Sequence, residues 1–351
     1  MQAFRERGVA MELATRREAS IGRVAREAGL MVHFLPFSHR IDLATIHGLK
    51  TLLESRSFDL IHTHSSIDSW LGGFAGKWAK KPVVRSRHLS SEVRPGLNAR
   101  LIYNWLPDAV ISSGRHIRDH LVHDCGCEPD KHFSVPAGAD HRRFKPEVDP
   151  TAVRQAFGLS ADDEVVGIVA VLRSWKGHRI LLDAACKILP RHPRLKLLIV
   201  GDGPIRLQVK EAISELGLEN RAIMTGHRDD VPECMKAMQV CVLPSLKNEA
   251  TSQVMPQAML VGTPVIASTA GGLTEVVIDG VTGRTCEPGD PDSLADAIER
   301  ELTDKAETRR LAAAALAHAR QELTFDTQIA RTQAVYEFCL RKRAARPCKQ
   351  T

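Results

Sequence analysis

Tyrosine occurs twice in 351 residues, and Phe, Trp and Tyr together make up 5% of the chain. A nucleic-acid surface that stacks bases on interleaved aromatics is poorly served by such a composition. Long hydrophobic runs are missing too. The longest, residues 165–172 with one Gly, falls far short of the ~18–20 residues that a membrane span requires. Residues 1–20 carry scattered charge of both signs and no apolar core, so they do not read as a secretory leader. The eight Cys are dispersed. Only Cys125 and Cys127 are close, and one intervening residue is poor spacing for a disulfide or a zinc site. Free thiols in a reducing cytosol are the expectation.

What is present is ordinary for a globular protein: 43% apolar and 26% charged residues, in a chain long enough for two cores. Charge is uneven. Residues 1–146 hold 22 Lys/Arg against 15 Asp/Glu, a net of +7 within a total of +6. A basic half points to an anionic partner, either a membrane surface or a phospholipid-like acceptor, with nucleic acid least favoured.

Strand-like and helix-like segments alternate in two series. The first has strands expected at residues 9–14, 32–35, 60–63, 83–86, 109–112 and 132–136, with helices at 21–28 and 43–54. The second has strands at 165–172, 195–200, 222–225, 240–243, 265–267 and 283–286, with helices at 178–189, 206–216, 229–238 and 293–301. A last helix is expected at 327–341. The connection at 136–150 is rich in Pro and basic residues. This pattern predicts an α/β fold of two Rossmann-like domains facing a cleft: residues 1–145, then 146–326, with 327–351 crossing back to the first domain. In open parallel sheets, ligands bind at the carboxyl ends of strands.

The most informative stretch is residues 246–266. A strand ends at Pro244-Ser245, Glu249 follows in a short loop, and Thr251 and Ser252 open a helical segment that ends at Gly262. A carboxylate beside helix N-terminal N–H groups can hold a sugar hydroxyl and a phosphate together. Arg173 and Lys176 follow the first strand of the second series, where two cations can meet the growing charge of a departing diphosphate. Pro256, one turn into the helix, is expected to bend it. His62 and His64 alternate onto one face with no third ligand at metal spacing, so they read as pocket lining, with Asp68 and Trp70 just beyond.

Residues 246–266 resemble the donor-binding signature of the family 4 glycosyltransferases, in which a Glu is followed eight residues later by a second Glu. Here the pair is Glu249 and Gln257. Residues 135–146 are similar to the family's hinge, with Ala137 in place of its usual Asn. Residues 169–177, 198–204, 271–275 and 280–283 match further motifs in order and at the expected spacing. The resemblance implies a GT-B fold and a glycosyltransferase that moves a sugar from a nucleotide-sugar donor to a hydroxyl acceptor, lipid-linked or polysaccharide, with retention of configuration. It implies no metal or other cofactor, and a cytoplasmic enzyme at the inner face of the membrane. It assigns His88, Arg173, Lys176 and Glu249 to catalysis. Ala250, Thr251 and Ser252 are assigned to the distal phosphate, Gln257 to the ribose, and Gly226, His227 and Arg228 to the nucleobase. An amide at Gln257 exchanges a charge-assisted bond for a neutral one. Members of the family also begin with a strand and a Gly-rich loop. Residues 9–14 match the second strand of that pattern, so the N-terminal domain is expected to lack its first strand and, as residues 1–351 alone, to be poorly stable and weakly active. The alternatives are a non-catalytic truncated homologue and an NAD-linked oxidoreductase. Arg206 counts against the latter, because it stands where a dinucleotide fingerprint after Gly201-Asp202-Gly203 needs Gly or Ala.

Overall fold

The computed structural model describes residues 1–88, 93–247 and 249–345, and they divide into two units. The first comprises Met1–Val135 and the chain from Gln328 onward; the second is Pro136–Thr327. Residues 136–145 thus lie with the second unit. Ala139 is the physical reason: its N–H donates to the Leu323 carbonyl (2.8 Å) and its carbonyl accepts from the Phe325 N–H (3.0 Å).

The first unit contains β1 (Glu12–Thr15), β2 (Met31–Phe34), β3 (Ile61–Thr63), β4 (Val83–Arg87), β5 (Ala109–Ser112) and β6 (His132–Ser134). All pairings are parallel. β1 pairs with β2, and β3 to β6 form a separate four-stranded sheet in chain order. Among the described residues, β1 and β3 therefore have one strand partner each. Apolar side chains bridge the two sheets: Ala14 and Leu35 share a cluster with Ile61, Leu49, Leu71 and Ala75. The helix Phe325–Ala344 covers the other cluster, placing Val335, Tyr336 and Cys339 against Phe4, Val84 and Ile111. Residues 346–351 of the expected C-terminal segment lie outside the described residues.

The second unit is one parallel sheet of β7 (Glu164–Val169), β8 (Leu195–Val200), β9 (Ala222–Gly226), β10 (Val240–Leu243), β11 (Val265–Ser268) and β12 (Arg284–Cys286). Its order is β12-β11-β10-β7-β8-β9. Both faces are covered, which is why these strands read as continuous apolar runs instead of alternating ones. Helices Val231–Lys236, Val254–Val261 and Lys305–Glu322 pack Met235, Met255 and Ala315 on one face. Helices His178–Ile188, Arg206–Glu215 and Pro291–Thr303 pack Leu181, Ile213 and Ile298 on the other. Full burial of each such Leu, Ile or Met side chain contributes roughly 1.5–3 kcal/mol.

Strand ends differ from the sequence reading where the backbone finds other partners. β7 stops at Val169, although the apolar run continues to Leu172, because the Leu172 N–H turns to the Asp202 carbonyl in the loop after β8 (3.0 Å). The helix Ser66–Trp78 fits the alternation, although the sequence pattern does not give its bounds. Gly72, Gly73 and Gly76 depress its propensity, yet they let it sit against Thr63, Leu106 and Val83.

Candidate active site

In the second unit the chain runs outward from β7 through β8 and β9, then returns to place β10 on the other side of β7. The loops after β7 and β10 leave the sheet side by side and diverge, which is where doubly wound sheets bind ligands. Arg173 and Lys176 lie in the first of these loops, Ser245 and Glu249 in the second. The Leu246 N–H ties the two loops by donating to the Trp175 carbonyl (2.8 Å).

Glu249 is buried, 6% exposed, and a carboxylate in that position needs compensation. Its Oε1 accepts from Lys176 Nζ (2.5 Å) and from the Ser245 hydroxyl (2.8 Å). Its backbone carbonyl accepts the Gly272 N–H (3.0 Å). Ser268, the last residue of β11, donates its hydroxyl to the Ser245 carbonyl (2.6 Å). One residue thus joins the loops after β7, β10 and β11. Two glycines permit this closeness. A Cβ on Gly177, at φ 77°, would lie 1.9 Å from the Pro244 carbonyl oxygen, and one on Gly271, at φ 58°, would lie 2.2 Å from the Glu249 carbonyl oxygen. Among the described residues Oε2 of Glu249 has no partner. Arg173 is exposed, with its guanidinium 5.0 Å from the Trp175 ring centre. The loops therefore offer an exposed guanidinium, an ammonium with donors to spare, and one open carboxylate oxygen.

The other expected residues fall less simply. The helix begins at Val254 with Gln253 as its N-cap, so Ala250, Thr251 and Ser252 precede it and their N–H groups are not its terminal ones. The Thr251 hydroxyl accepts the Ala137 N–H (3.3 Å), and the Ser252 hydroxyl accepts the Val254 N–H (3.3 Å). Pro256 consequently sits in the first turn, where a missing N–H costs nothing, and the expected bend has no cause. Gln257 is half-buried in the next turn, donating its N–H to the Gln253 carbonyl (3.0 Å). Gly226 ends β9, and its carbonyl already accepts from the Gly201 N–H (2.9 Å) and the Thr225 hydroxyl (2.9 Å). The His227 side chain is exposed. Arg228 is held by both oxygens of Asp230 and lies over the Phe157 ring. Asp290-Pro291-Asp292 has the Asp-x-Asp spacing of a metal site, but Asp290 caps the helix Pro291–Thr303 and Asp292 pairs with Lys187 (2.6 Å).

In the first unit, three histidines gather at the carboxyl ends of β3 and β4. His62 Nδ1 meets the Tyr336 hydroxyl at 2.7 Å and its Nε2 meets the Ser86 hydroxyl at 2.8 Å. The His62 and His64 ring centres are 4.2 Å apart. His64 Nδ1 lies 3.1 Å from His88 Nε2, with the rings stacked and 4° from parallel. Burial, then the charge of the neighbouring rings, lowers His62 far below its usual value and His64 to about 4; burial lowers His88 as well. At neutral pH all three are imidazoles. A bond between two neutral imidazoles has one proton, so the outer nitrogens of the His64–His88 pair always present one N–H and one lone pair, whichever tautomer is adopted. That combination matches a hydroxyl group, which both donates and accepts. Asp68 spends its carboxylate on the N–H groups of His64 (3.0 Å) and Ser65 (2.7 Å), capping the helix Ser66–Trp78. Trp70 Nε1 is buried without a described partner, and its ring packs on Phe74. No group of three or more His, Cys, Asp or Glu among the described residues is placed to hold a metal ion.

Sequence reasoning passed over Ser245, Ser268, His178 and Tyr336. Ser245 carried a signal, since it stands four residues before Glu249 at a strand end. Tyr336 carried none, because it lies 274 residues from His62.

Two units of parallel strands and helices, the second doubly wound with cations and a carboxylate at its topological switch point, define the nucleotide-sugar-handling architecture of the GT-B glycosyltransferases. Residues 1–143 match the family model Glycosyltransferase Family 4, and residues 149–318 match Glycosyl transferases group 1. A D-inositol 3-phosphate glycosyltransferase of Xylanimonas cellulosilytica is 30% identical over 82% of this chain and 74% of its own. The UDP-Gal:alpha-D-GlcNAc-diphosphoundecaprenol alpha-1,3-galactosyltransferase of Escherichia coli is 27% identical over 84% and 83%. The solved structure of Anabaena Alr3699/HepE in complex with UDP superimposes with a TM-score of 0.82 at 26% identity, covering 96% of this chain and 93% of that one. The chain belongs to the family 4 glycosyltransferases. It is accordingly a glycosyltransferase that uses a nucleotide-sugar donor, and the oxidoreductase reading falls away.

Two outcomes follow from these surroundings. His178 follows Gly177 at the start of its helix, 2% exposed, with neither ring nitrogen partnered among the described residues. Burial first, then Lys176, pushes its pKa from 6.5 down to about 4. The unfolded chain then binds the extra proton between these values, so the contribution is intact above pH 6.5 and is lost as pH falls towards 4, on the order of 3 kcal/mol. Stability measured by urea unfolding across that window should fall less steeply in His178→Leu than in the wild type; equal slopes would show that the ring is not buried neutral. The second outcome concerns Tyr336→Phe, which keeps the packing but removes the hydroxyl from His62. We expect a loss of about 1–3 kcal/mol of stability and shifted imidazole nitrogen resonances at His62, His64 and His88. Unmoved resonances at His64 and His88 would show that the three rings are not coupled.

Proposed function

We propose that this chain transfers a sugar from a nucleotide-sugar to a hydroxyl of a lipid-linked or polysaccharide acceptor, with retention of configuration and without a metal, at the cytoplasmic face of a membrane. The observation that carries the reading is the pairing of Lys176 and Glu249 at the switch point, with Arg173 exposed beside them. In the reaction the bond from the sugar's anomeric carbon to the diphosphate oxygen breaks, and a bond from that carbon to the acceptor oxygen forms on the same face. The acceptor's proton passes to the departing phosphate. Arg173 and Lys176 meet the negative charge that grows on the diphosphate, a task that a divalent cation performs elsewhere. The open Oε2 of Glu249 accepts from donor-sugar hydroxyls. His88 hydrogen-bonds a sugar hydroxyl as part of the neutral pair with His64. Gln257 contacts the ribose as an amide, more weakly than a carboxylate would. The residues after β9, Gly226 to Arg228, are proposed to meet the base, with Arg228 the least free because Asp230 holds it.

Support for the donor comes from Anabaena Alr3699/HepE, solved with UDP-glucose as well as UDP. Support for the acceptor comes from the Escherichia coli relative, whose name specifies a sugar on diphosphoundecaprenol. The basic half of the chain suits an acceptor on an anionic surface.

Arg173→Ala and Lys176→Ala should each lower turnover by ~10²–10³, the scale of removing one electrostatic stabiliser of about 2–4 kcal/mol. Turnover should persist in EDTA. Unchanged kcat/KM in both variants would remove the two cations from the mechanism. Loss of activity on chelation, restored by Mn²⁺ or Mg²⁺, would overturn the metal-free reaction. No turnover from the unaltered chain with any nucleotide-sugar would favour the non-catalytic reading.

A further inference from the structure

A second charged site lies in the first unit, at the opposite end of its sheet from the histidines. Lys81 and Pro82 lead into β4 and Asp108 leads into β5, whereas His64 and His88 leave β3 and β4. β4 is five residues long, so at ~3.3 Å per residue the two ends are roughly 15 Å or more apart. Here a cavity of about 280 Å³ is lined by Lys77, Lys80, Lys81, Lys342 and Arg343, against a single carboxylate, Asp108. Cys339 and Pro82 form its apolar floor.

The charge in this cavity is not balanced from within. Asp108 accepts the Val83 N–H (3.0 Å) and lies 3.6 Å from Lys77. Among the described residues, Lys80, Lys81, Lys342 and Arg343 form no ion pair. Lys80 stands at φ 53°, the left-handed residue that follows the C-cap Ala79 of the helix Ser66–Trp78. Lys342 lies 5.5 Å from the Phe338 ring centre and also acts on Glu128, so the positive charge of the cavity is met only in part, an arrangement that an anion completes. The volume lies near the lower end of small-molecule pockets, which is room enough for a compact anionic group. Trp78 ends the helix that carries Lys77 and has more than half its surface open, 56% exposed. Trp78 carries the Lys50 ammonium 5.3 Å from its ring centre. Lys50 is itself paired with Glu54 (2.7 Å), and an exposed indole among lysines is characteristic of surfaces that meet lipid head groups.

We propose that this cavity binds a phosphate-bearing head group, at a site separate from the donor loops. The proposal does not rest on the transfer chemistry, since none of its residues belongs to that machinery. The phosphate can come from an anionic phospholipid or from a soluble phosphate compound, and two arms of one experiment separate them. The full chain and a variant carrying Lys80→Ala, Lys81→Ala, Lys342→Ala and Arg343→Ala are compared. Each is sedimented with phosphatidylcholine vesicles, with and without phosphatidylglycerol, and titrated calorimetrically with inorganic diphosphate. The donor loops are the same in both proteins, so the difference between them reports this cavity alone. With a lipid as the source, the wild type binds phosphatidylglycerol vesicles and the variant binds at least about a hundredfold more weakly, at about a factor of five per basic residue near an anionic surface. Binding also weakens with salt. With a soluble source, the wild type takes up more diphosphate than the alanine variant does, while vesicle binding is equal. A second variant, Lys80→Arg, Lys81→Arg and Lys342→Arg, retains binding in either case and excludes misfolding as the cause. Equal behaviour of the wild type and the alanine variant in both arms would overturn the proposal.

Discussion

The second unit depends on one buried carboxylate. Glu249 is almost out of solvent, and an uncompensated charge there would cost several kcal/mol. Lys176 supplies the counter-charge and Ser245 a neutral donor, both at Oε1. These two partners come from loops at the ends of adjacent strands, so satisfying Glu249 fixes the distance between them. Gly177 and Gly271 are the steric terms of the same arrangement, since any side chain at either would push the loops apart. The outcome is a charged constellation set on rigid strand ends, with one carboxylate oxygen and an exposed guanidinium left for a ligand.

The first unit solves a different problem by a different means. Its three histidines are crowded enough to stay neutral, so its polar centre offers paired hydrogen-bonding capacity without charge. A diphosphate calls for cations and a sugar hydroxyl calls for a donor and an acceptor together, and the chain places these two chemistries on separate sheets. A cluster of basic side chains in the first unit lies at the far end of its sheet, away from the histidines.

Much of this was legible in the sequence because parallel strands buried on both faces leave continuous apolar runs. β8 and β10 coincide with those runs, and the same runs place Arg173, Lys176 and Glu249 at strand ends. The errors have a common origin in polar groups whose partners are distant along the chain. Thr251 and Ser252 look like helix caps, but their hydroxyls serve Ala137 and Val254, so the helix starts later and Pro256 becomes harmless. The run after Val169 looks like strand, but Leu172 bonds to the loop after β8. Residues 136–145 look like a linker, but Ala139 is stitched to residues near 324. Local pattern reports which segments will be buried; it does not report which of two polar neighbours a given N–H or hydroxyl will choose.

The claim that Lys176 and Glu249 act as one unit is tested most directly by a double-mutant cycle on nucleoside diphosphate affinity. Lys176→Met, Glu249→Gln and the double variant would be titrated alongside the wild type. If each side chain compensates the other, the single changes are not additive, and the cycle gives a coupling energy of about 1–2 kcal/mol. Additivity within about 0.3–0.5 kcal/mol would mean that the two side chains bind independently, and that the carboxylate is not what holds the loops together.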